Sequence, residues 1–347
     1  MQIQLNAKNR AFSFDVLDGE SILYAGMRHG LELPYGCATG TCGTCKVKCR
    51  SGRCVSAWAD APGIRVGARD ESDLLMCQYT PLENAVLETN ATVYKADPGS
   101  CLPRYAAGWI TGERALAADV MAFSLELDRP MSYEAGQFVA LEVPTVSGYR
   151  VYSMTNFSPG TQRIDFLVKR KPGGGFSDWL FNPSRPSVRI NVFGPLGRAT
   201  FSPSAGKHLL IIAGGSGIAG MMAILERAVQ EGYFERYRGH VFFGVRTWED
   251  RFFLAELEEM RAAFPGQLCV TLALSDDDVP ESAAVEYPGF VFARGLVHEV
   301  AVAAMAGNCA NTRAYVAGPP LAVNATLRSL LRDAKLAATD IRYDKFG

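Results

Sequence analysis

Four cysteines place the strongest constraint on what this chain can fold into. The first three follow the spacing C-x4-C-x2-C, and the fourth lies about thirty residues further on. This is the spacing of a loop that holds a [2Fe–2S] cluster, in which four thiolates bind two iron atoms. The predicted metal ligands are Cys37, Cys42, Cys45 and Cys77.

Glycines within the same segment suit such a loop. Gly36, Gly40 and Gly43 stand where the chain must turn tightly, and backbone N–H groups there can donate hydrogen bonds to sulfur. A zinc site is the alternative, but zinc sites usually combine C-x2-C with a second C-x2-C or with a pair of histidines. The observed pattern favours the iron–sulfur cluster, and therefore a protein that transfers single electrons.

Composition excludes several functional classes. The 347 residues are 48% hydrophobic and 20% charged, with a formal net charge of −1. There is no basic excess with which to bind nucleic acid. No apolar run approaches the roughly 20 residues of a membrane-spanning helix, and the N-terminus lacks the apolar core of a signal peptide. Nine cysteines without a secretion signal predict a reducing cytoplasm.

The N-terminal part of the chain, residues 1–93, is predicted to be a small α+β domain of the β-grasp type. IQLNA and AFSFDV have the alternation of a β-hairpin, and SILYAGMRHG is a short helix with Ser21 as its N-cap. The cluster loop follows the helix. Residues 94–105 carry proline and glycine and are predicted to be a linker.

Two further domains are expected after the linker. Residues 106–205 contain six strand-like segments at short spacing, which predict a closed antiparallel β-barrel. Residues 206–347 alternate strands with amphipathic helices, which predicts a doubly wound parallel sheet. The fold class is therefore multidomain: β-grasp, β-barrel and α/β.

A glycine-rich turn opens the α/β part. The segment GGSGIAG connects a strand to a helix, and Gly215, Gly217 and Gly220 match G-x-G-x-x-G. Such glycines allow a pyrophosphate to approach the backbone at the N-terminus of a helix. The predicted contacts are Gly214, Gly215, Ser216 and Gly217; the alternative is a turn that serves packing alone.

A second turn ends a later strand. Because ligands bind at the carboxyl ends of parallel strands, Gly318 and Pro319 are predicted to contact the same nucleotide. Pro319 and Pro320 can also begin the last helix without losing hydrogen bonds. Considered alone, this motif indicates no more than a helix start.

The barrel segment contains two further candidate motifs. In R-V-Y-S, Arg150 can bind a phosphate in a bidentate manner, Tyr152 can lie against a flavin ring, and Ser153 can hydrogen-bond flavin N5 or O4. A glycine-rich loop before a short helix can bind an anion. Its candidate residues are Gly174, Gly175, Phe176 and Ser177. An ordinary strand and a flexible hairpin are the alternatives.

These motifs, in this order, resemble the reductase components of bacterial multicomponent oxygenases. That family joins a plant-type ferredoxin domain to a ferredoxin–NADP-reductase-like module, and the resemblance extends over essentially the whole chain. The cysteine pattern and R-x-Y-S are its most specific parts. DAPG at 60–63 and the terminal YDKF also resemble the family.

The resemblance implies FAD in the barrel. Arg150 and the loop at 174–177 would hold its phosphates, and Tyr152 and Ser153 would contact the isoalloxazine. Phe346 would approach the flavin near the nicotinamide, so Ser153 and Phe346 are the residues expected at the hydride-transfer site. It also implies NADH rather than NADPH, although the sequence offers Arg246 for a 2′-phosphate and Glu249 for a ribose hydroxyl.

The chemistry of the cofactors then predicts the activity. NAD(P)H gives up two electrons as hydride and the cluster accepts one at a time, so FAD is expected between them. The expected enzyme is an NAD(P)H-dependent reductase that passes electrons to a ferredoxin or an oxygenase. No acid–base residue pair is required.

Two positions differ from the family pattern and suggest an alternative. Gly220 replaces a proline, which would loosen the pyrophosphate loop, and Ala317 replaces a cysteine beside the nicotinamide. The alternative is a redox sensor that reports to a transcriptional regulator and turns over slowly. A phthalate-type reductase with FMN would carry its ferredoxin at the C-terminus, which is the reverse of the order here.

Overall fold

The computed structural model describes residues 1–67 and 70–345. Contacts divide the chain into two compact units. Unit 1 comprises Met1–Gly108, Val139–Val151 and Val188–Leu196. Unit 2 comprises Trp109–Phe138, Tyr152–Ser187 and the chain from Gly197 onward. No helix in the described part of the chain is long and apolar enough to cross a membrane.

The N-terminal part of unit 1 is an α+β fold built on short strands. Its strands are β1 (Gln2–Asn6), β2 (Ala11–Asp15), β3 (Leu31–Glu32), β4 (Lys46–Ser51), β5 (Cys54–Ser56), β6 (Asp73–Leu75), β7 (Tyr79–Pro81), β8 (Ala85–Glu88) and β9 (Tyr94–Lys95). Its helix is α1 (Ile22–Arg28), which lies between β2 and β3. The main sheet has the order β2-β1-β8-β4-β6, with β8 parallel to β1.

Local sequence explains these elements. Ile3 and Leu5 alternate with exposed residues along β1, so one face of the β1–β2 hairpin is buried. Helix α1 begins after Ser21, whose hydroxyl accepts the Tyr24 N–H at 3.4 Å. The residues of α1 before Arg28 are all buried, so this helix is held by packing on every side. The predicted β-grasp arrangement is confirmed.

The barrel strands follow. They are β10 (Arg104–Ala117), β11 (Val120–Met131), β12 (Phe138–Glu142), β13 (Arg150–Ser153), β14 (Thr161–Lys169) and β15 (Ile190–Leu196), with helix α2 (Gly175–Leu180) before β15. Their order is β13-β12-β15-β10-β11-β14. A bridge between Met154, directly after β13, and Phe166 of β14 closes the barrel, as predicted. β10, β12 and β13 each contribute residues to both units.

The C-terminal part of unit 2 is an α/β layer. Its strands are β16 (His208–Gly214), β17 (Gly239–Val245), β18 (Leu268–Leu274), β19 (Val291–Arg294), β20 (Thr312–Gly318) and β21 (Ile341–Lys345). Its helices are α3 (Ile218–Gln230), α4 (Leu254–Ala263), α5 (Ala283–Glu286), α6 (Val297–Ala304) and α7 (Pro320–Arg332).

These strands form a parallel sheet of order β19-β18-β17-β16-β20-β21. The chain moves outward from β16 in one direction and then returns to its other side at β20. The gap between the carboxyl ends of β16 and β20 is therefore the topological switch point, where such sheets bind nucleotides. The predicted α/β fold is confirmed, and β19, β21 and α5 are elements that the sequence pattern did not reveal.

Candidate iron–sulfur, flavin and nucleotide sites

The four predicted ligand cysteines lie as two pairs in unit 1. The sulfurs of Cys45 and Cys77 are 3.3 Å apart. Cys37 and Cys42 form the other pair, in which the Cys37 N–H donates to the Cys42 sulfur at 3.4 Å. Among the described residues no three His, Cys, Asp or Glu side chains converge on a single point. Two thiol pairs suit two iron atoms, whereas a zinc site needs four ligands around one.

Backbone N–H groups surround the Cys37 sulfur. Thr39, Thr41 and Cys42 donate to it at 3.5, 3.3 and 3.4 Å. The Cys42 side chain and these N–H groups lower the pKa of Cys37 to about 4, against the effect of burial. In the other pair, hydrogen bonding to Cys77 lowers the pKa of Cys45. These N–H donors would stabilise the Cys37 thiolate, whereas the hydrogen bond to the partner thiol and burial raise the pKa of Cys42 and Cys77.

Glycines shape the loop around these sulfurs. Gly40 and Gly43 have positive φ, at 93° and 78°, as the tight wrapping predicted. Gly63, in the DAPG segment, donates from its N–H to Gly40 O at 2.8 Å. A Cβ on Gly63 would lie 2.6 Å from the Gly43 nitrogen. The residues present fit a [2Fe–2S] cluster, and Gly63 is a supporting residue to which the sequence analysis assigned no role.

Strand β13 carries the predicted flavin residues. Arg150 is exposed and donates to the Ser147 and Tyr149 carbonyls, at 3.3 and 3.0 Å. The Tyr152 ring lies 5.0 Å from that of Phe176. Ser153 is buried. Because side chains alternate along a strand, Tyr152 and Ser153 face opposite sides of β13.

The glycine-rich loop before α2 is tightly closed. The Ser177 hydroxyl accepts the Lys171 N–H and donates to the Lys171 carbonyl, both at 3.1 Å. A Cβ on Gly174 would meet the Ser177 hydroxyl oxygen at 2.7 Å. The loop therefore offers backbone rather than side chain, which fits the phosphates of FAD. Gly175 begins α2, and the Phe176 side chain is buried, so only its backbone is available to a ligand.

The first nucleotide motif lies at the switch point. Gly214 ends β16, and Gly215, Ser216 and Gly217 form a 3₁₀ turn that leads into α3. A Cβ on Gly217 would lie 2.5 Å from the carbonyl oxygen of Ala317 on β20. Only glycine allows the start of α3 to approach β20 so closely, and a turn of this kind at a helix N-terminus fits the predicted binding of a pyrophosphate.

The second nucleotide motif lies beside the first. Gly318 ends β20, and Pro319 is the N-cap of α7. A Cβ on Gly318 would lie 3.4 Å from Gly214 O, so the turns after β16 and β20 are in contact. Across the sheet, Ala317 pairs with Asp344 of β21. Burial raises the pKa of Asp344 to about 7.

The expectation that Gly220 belongs to the pyrophosphate loop is wrong. Gly220 lies within α3 and is buried. A Cβ there would meet the Cβ and hydroxyl oxygen of Ser153 at 3.3 and 3.4 Å. Glycine at this position therefore brings α3 against the predicted flavin residue and does not loosen the turn. The sequence could not show this because the contact joins residues far apart in the chain.

The turn after β17 holds the residues considered for nucleotide selectivity. Arg246 is 3.7 Å from Asp250, and its side chain is 65% exposed. The Asp276 N–H donates to Arg246 O at 2.9 Å, and Asp277 accepts the Trp248 N–H at 2.9 Å. Glu249 is exposed and lies 3.8 Å from Arg251. Phe346 lies outside the described residues.

Family models match three successive parts of the chain. They are a 2Fe-2S iron–sulfur cluster binding domain over residues 5–82, an oxidoreductase FAD-binding domain over 109–201 and an oxidoreductase NAD-binding domain over 211–327. The three cofactors expected from the sequence, a [2Fe–2S] cluster, FAD and NAD(P)H, are confirmed by these matches.

Whole-length relatives point to one class of protein. The ferredoxin–NAD(+) reductase component of the alkene monooxygenase system of Xanthobacter autotrophicus is 31% identical, covering 97% of this chain and 99% of the relative. A ferredoxin–NAD(P)(+) reductase of Metapseudomonas resinovorans is 31% identical over 94% of this chain and 95% of its own. The solved ferredoxin reductase of carbazole 1,9a-dioxygenase superposes with a TM-score of 0.83, at 28% identity over 100% of this chain and 99% of its own. The chain belongs to the family of NAD(P)H-dependent ferredoxin reductases that serve as reductase components of multicomponent oxygenases.

Proposed function

We propose that the two thiol pairs in unit 1 hold the [2Fe–2S] cluster and that β13 and the loop at 174–177 hold FAD. The observation that carries the proposal is the set of N–H donors directed at Cys37, together with a switch-point turn whose helix touches Ser153. The cluster ligands are Cys37, Cys42, Cys45 and Cys77. Domain bounds of 1–93, 106–205 and 206–347, with a linker at 94–105, are part of the same proposal.

When bound, FAD supplies the step that converts a hydride into single electrons. The residues of the chain position the nucleotide and the flavin. The turns at Gly214–Gly217 and Gly318–Pro319 bind the nucleotide pyrophosphate and place the nicotinamide at the end of β20. Ser153 orients the flavin ring through its hydroxyl, and Arg150 binds phosphate oxygen. The packing of α3 on Ser153 would hold the nucleotide turn close to the flavin strand.

NADH is the proposed electron donor. The charge of Arg246 is partly offset by Asp250. Three consecutive carboxylates, Asp276–Asp278, follow the end of β18, and of these Asp278 is paired with Arg294 at 2.6 Å. The Asp276 N–H donates a hydrogen bond to Arg246 O. These carboxylates therefore lie close to Arg246, the residue that would bind a 2′-phosphate. An additional dianion there would be repelled.

The electron acceptor is proposed to be a ferredoxin or an oxygenase component. Relatives include the reductase component of phenol 2-monooxygenase from Pseudomonas and that of the naphthalene 1,2-dioxygenase system of Pseudomonas putida. The comparisons give no support to a transcriptional regulator as partner, so the sensor alternative is not retained. The cytoplasmic location stays a prediction.

Anaerobic stopped-flow reduction tests the proposal. NADH should bleach the flavin rapidly and the cluster immediately afterwards, and NADPH should do so at least about tenfold more slowly, because an adverse charge contact costs roughly 1.4 kcal/mol or more. Arg246→Ala is the matched variant; it should leave the NADH rate nearly unchanged. Slow flavin bleaching at saturating NADH would contradict the reductase function, and faster reduction by NADPH would contradict the choice of nucleotide.

A further inference from the structure

Helix α1 contacts both parts of the cluster-binding segment in unit 1. The Leu23 N–H donates to Met76 O at 2.9 Å, and the Tyr24 hydroxyl donates to Ala38 O at 3.3 Å. Met76 directly precedes one proposed ligand cysteine, and Ala38 directly follows another. One short helix therefore fixes the backbone beside a ligand from each thiol pair.

The ring of Tyr24 extends from this helix to a barrel strand of the same unit. It stacks on Phe193 of β15, with ring centroids 4.2 Å apart and planes 13° apart. Tyr149 meets Tyr24 edge-on at 5.4 Å. Tyr24 is 3% exposed and Phe193 is fully buried. A stack of this kind, enclosed on all sides, has little freedom to shift.

The stack also lies next to the predicted phosphate-binding residue. Tyr149 directly precedes Arg150 on the way into β13. Tyr24, Cys77, Tyr149 and Arg150 line one cleft of about 760 Å³. The same ring therefore contacts the cluster loop and the segment that leads into the flavin strand.

We propose that the Tyr24–Phe193 stack is the contact that sets the rate of electron transfer from FAD to the [2Fe–2S] cluster. The inference rests on the proposed cofactor sites. In the step concerned, one electron leaves the reduced flavin and one electron enters the oxidised cluster, and no bond is formed or broken. Tyr24 and Phe193 are positioning residues: they hold the cluster loop against strand β15 of the same unit.

The test variant is Phe193→Leu, which removes the ring and keeps an apolar side chain. Its matched control is Phe123→Leu. Phe123 is also almost completely buried and stacks on Phe166, with centroids 5.2 Å apart, but both of these residues lie on the barrel strands β11 and β14. Both variants should lower the unfolding midpoint of the protein by similar amounts.

Electron transfer should separate the two variants. In anaerobic stopped-flow with NADH, flavin bleaching reports hydride transfer, and the electron paramagnetic resonance signal of freeze-quenched samples reports the reduced cluster. Phe193→Leu should bleach its flavin at the wild-type rate but reduce its cluster at least about tenfold more slowly, because a shift of about 1 Å can cost about 100-fold. Phe123→Leu should do both at the wild-type rate.

Two further variants identify the cause. Tyr24→Phe keeps the stack and loses only the hydrogen bond to Ala38, so cluster reduction should stay within about threefold of wild type. If Phe193→Leu does not fold or does not retain its cluster, Phe193→Met fills the same volume without a ring and takes its place. It should show the same slowed cluster reduction.

The outcomes are distinct. Wild-type cluster reduction in both Phe193 variants, or equal slowing in Phe123→Leu, would overturn the inference and leave the stack a purely structural contact. Failure of NADH to bleach the flavin of the wild-type protein would instead contradict the proposed function.

Discussion

Individual cysteines in this chain differ in what surrounds their sulfur atoms. The Cys37 sulfur accepts several N–H groups, and its pKa is lowered to about 4. Cys54 is half-buried beside Cys49, and burial raises its pKa to about 11, so it remains a protonated thiol near neutral pH. The pKa alone does not separate proposed ligands from other cysteines, because the hydrogen bond to the partner thiol and burial also raise the pKa of the proposed ligands Cys42 and Cys77. The N–H donors directed at the Cys37 sulfur are the feature that distinguishes the proposed cluster loop.

Replacing a ligand should remove one cofactor and spare the other. We expect Cys77→Ala to lose its iron and acid-labile sulfide, keep its FAD and reduce cytochrome c at less than about one tenth of the wild-type rate, since single electrons leave through the cluster. Iron analysis and the visible spectrum measure this. Cys54→Ser is the matched control and should keep its full iron content. A Cys77→Ala protein with normal iron would contradict the ligand assignment.

Asp344 predicts a pH dependence of stability. Burial raises its pKa to about 7 in the folded protein, above the value of roughly 3.9 expected when unfolded. Its contribution to stability is therefore fully present below about pH 4 and is lost as the pH rises through about 7. The Asp344→Asn variant has no carboxyl group at this position, so it does not lose stability through this titration. The free energy of unfolding of the variant should exceed that of wild type by about 1–2 kcal/mol at pH 8, because partial exposure reduces the effect.

Denaturant unfolding at several pH values between 5 and 8 measures the difference between the two proteins. Asp333→Asn provides the control, since Asp333 is an exposed carboxylate whose pKa is lowered by Arg332. The free energy of unfolding of Asp333→Asn should not rise relative to that of wild type as the pH increases from 5 to 8. Parallel pH profiles for wild type and Asp344→Asn would mean that Asp344 is not desolvated.

Among the elements, helix α3 links the predicted nucleotide turn to the flavin strand. Its first turn follows Gly217, and Gly220 packs on Ser153. Further along, Glu226 accepts the Phe157 N–H at 2.5 Å, and Gln230 donates to Phe157 O at 3.2 Å. The helix therefore contacts Ser153 of β13 near its start and Phe157, after β13, near its end. A change in α3 should alter the position of the predicted flavin residue Ser153.

Gly220→Ala tests this attachment. The added methyl group would lie 3.3 Å from Ser153 Cβ, so Ser153 must move by a few tenths of an ångström. We expect flavin reduction by NADH to slow about tenfold. Stability should change by no more than about 1 kcal/mol, since alanine favours the helix by roughly that amount. Stopped-flow and thermal unfolding provide the two readouts.

The control for this experiment is Ser153→Ala, which removes the hydroxyl without crowding. If the two residues act together, Gly220→Ala should add little to the slowing already caused by Ser153→Ala. Independent, additive effects in the double variant would show that the contact does not transmit the change.

Local patterns were sufficient to predict most elements. The hairpin β1–β2, the cap of α1 at Ser21 and the strand–turn–helix at Gly214 all depend on neighbours within a few residues, and all were predicted. The short strands β19 and β21 were missed because each is only a few residues long and has no clear alternation of buried and exposed positions.

Contacts between distant segments were the part that the sequence could not supply. Gly63 supports the cluster loop from about twenty residues away, and its role depends on the N–H that it donates to Gly40. Gly220 was assigned to a turn, whereas it lies inside a helix against Ser153. In both cases the sequence showed the glycine motif, but the residue that the glycine contacts is determined by the tertiary fold.

At the scale of the whole molecule, three cofactor-binding regions follow one another along a single chain. The matched regions run from the cluster domain through the FAD domain to the NAD domain. The electrons must pass in the opposite order, since NAD(P)H donates a hydride, FAD accepts it, and the cluster accepts single electrons. The cluster domain, from which electrons leave, therefore precedes in sequence the NAD domain, at which they enter.

Reductive titration counts the electrons that this arrangement can hold. FAD accepts two electrons and a [2Fe–2S] cluster accepts one, so anaerobic titration of the wild-type protein should end near about 1.5 molecules of NADH per chain. Cys77→Ala should end near about 1, because only the flavin remains to be reduced. The absorbance endpoint and spin quantification measure this. An endpoint near about 1 for an iron-loaded wild-type protein would mean that NADH does not reduce the cluster. Both electrons of each hydride would then stay on the flavin, and the protein would not convert hydride into single electrons.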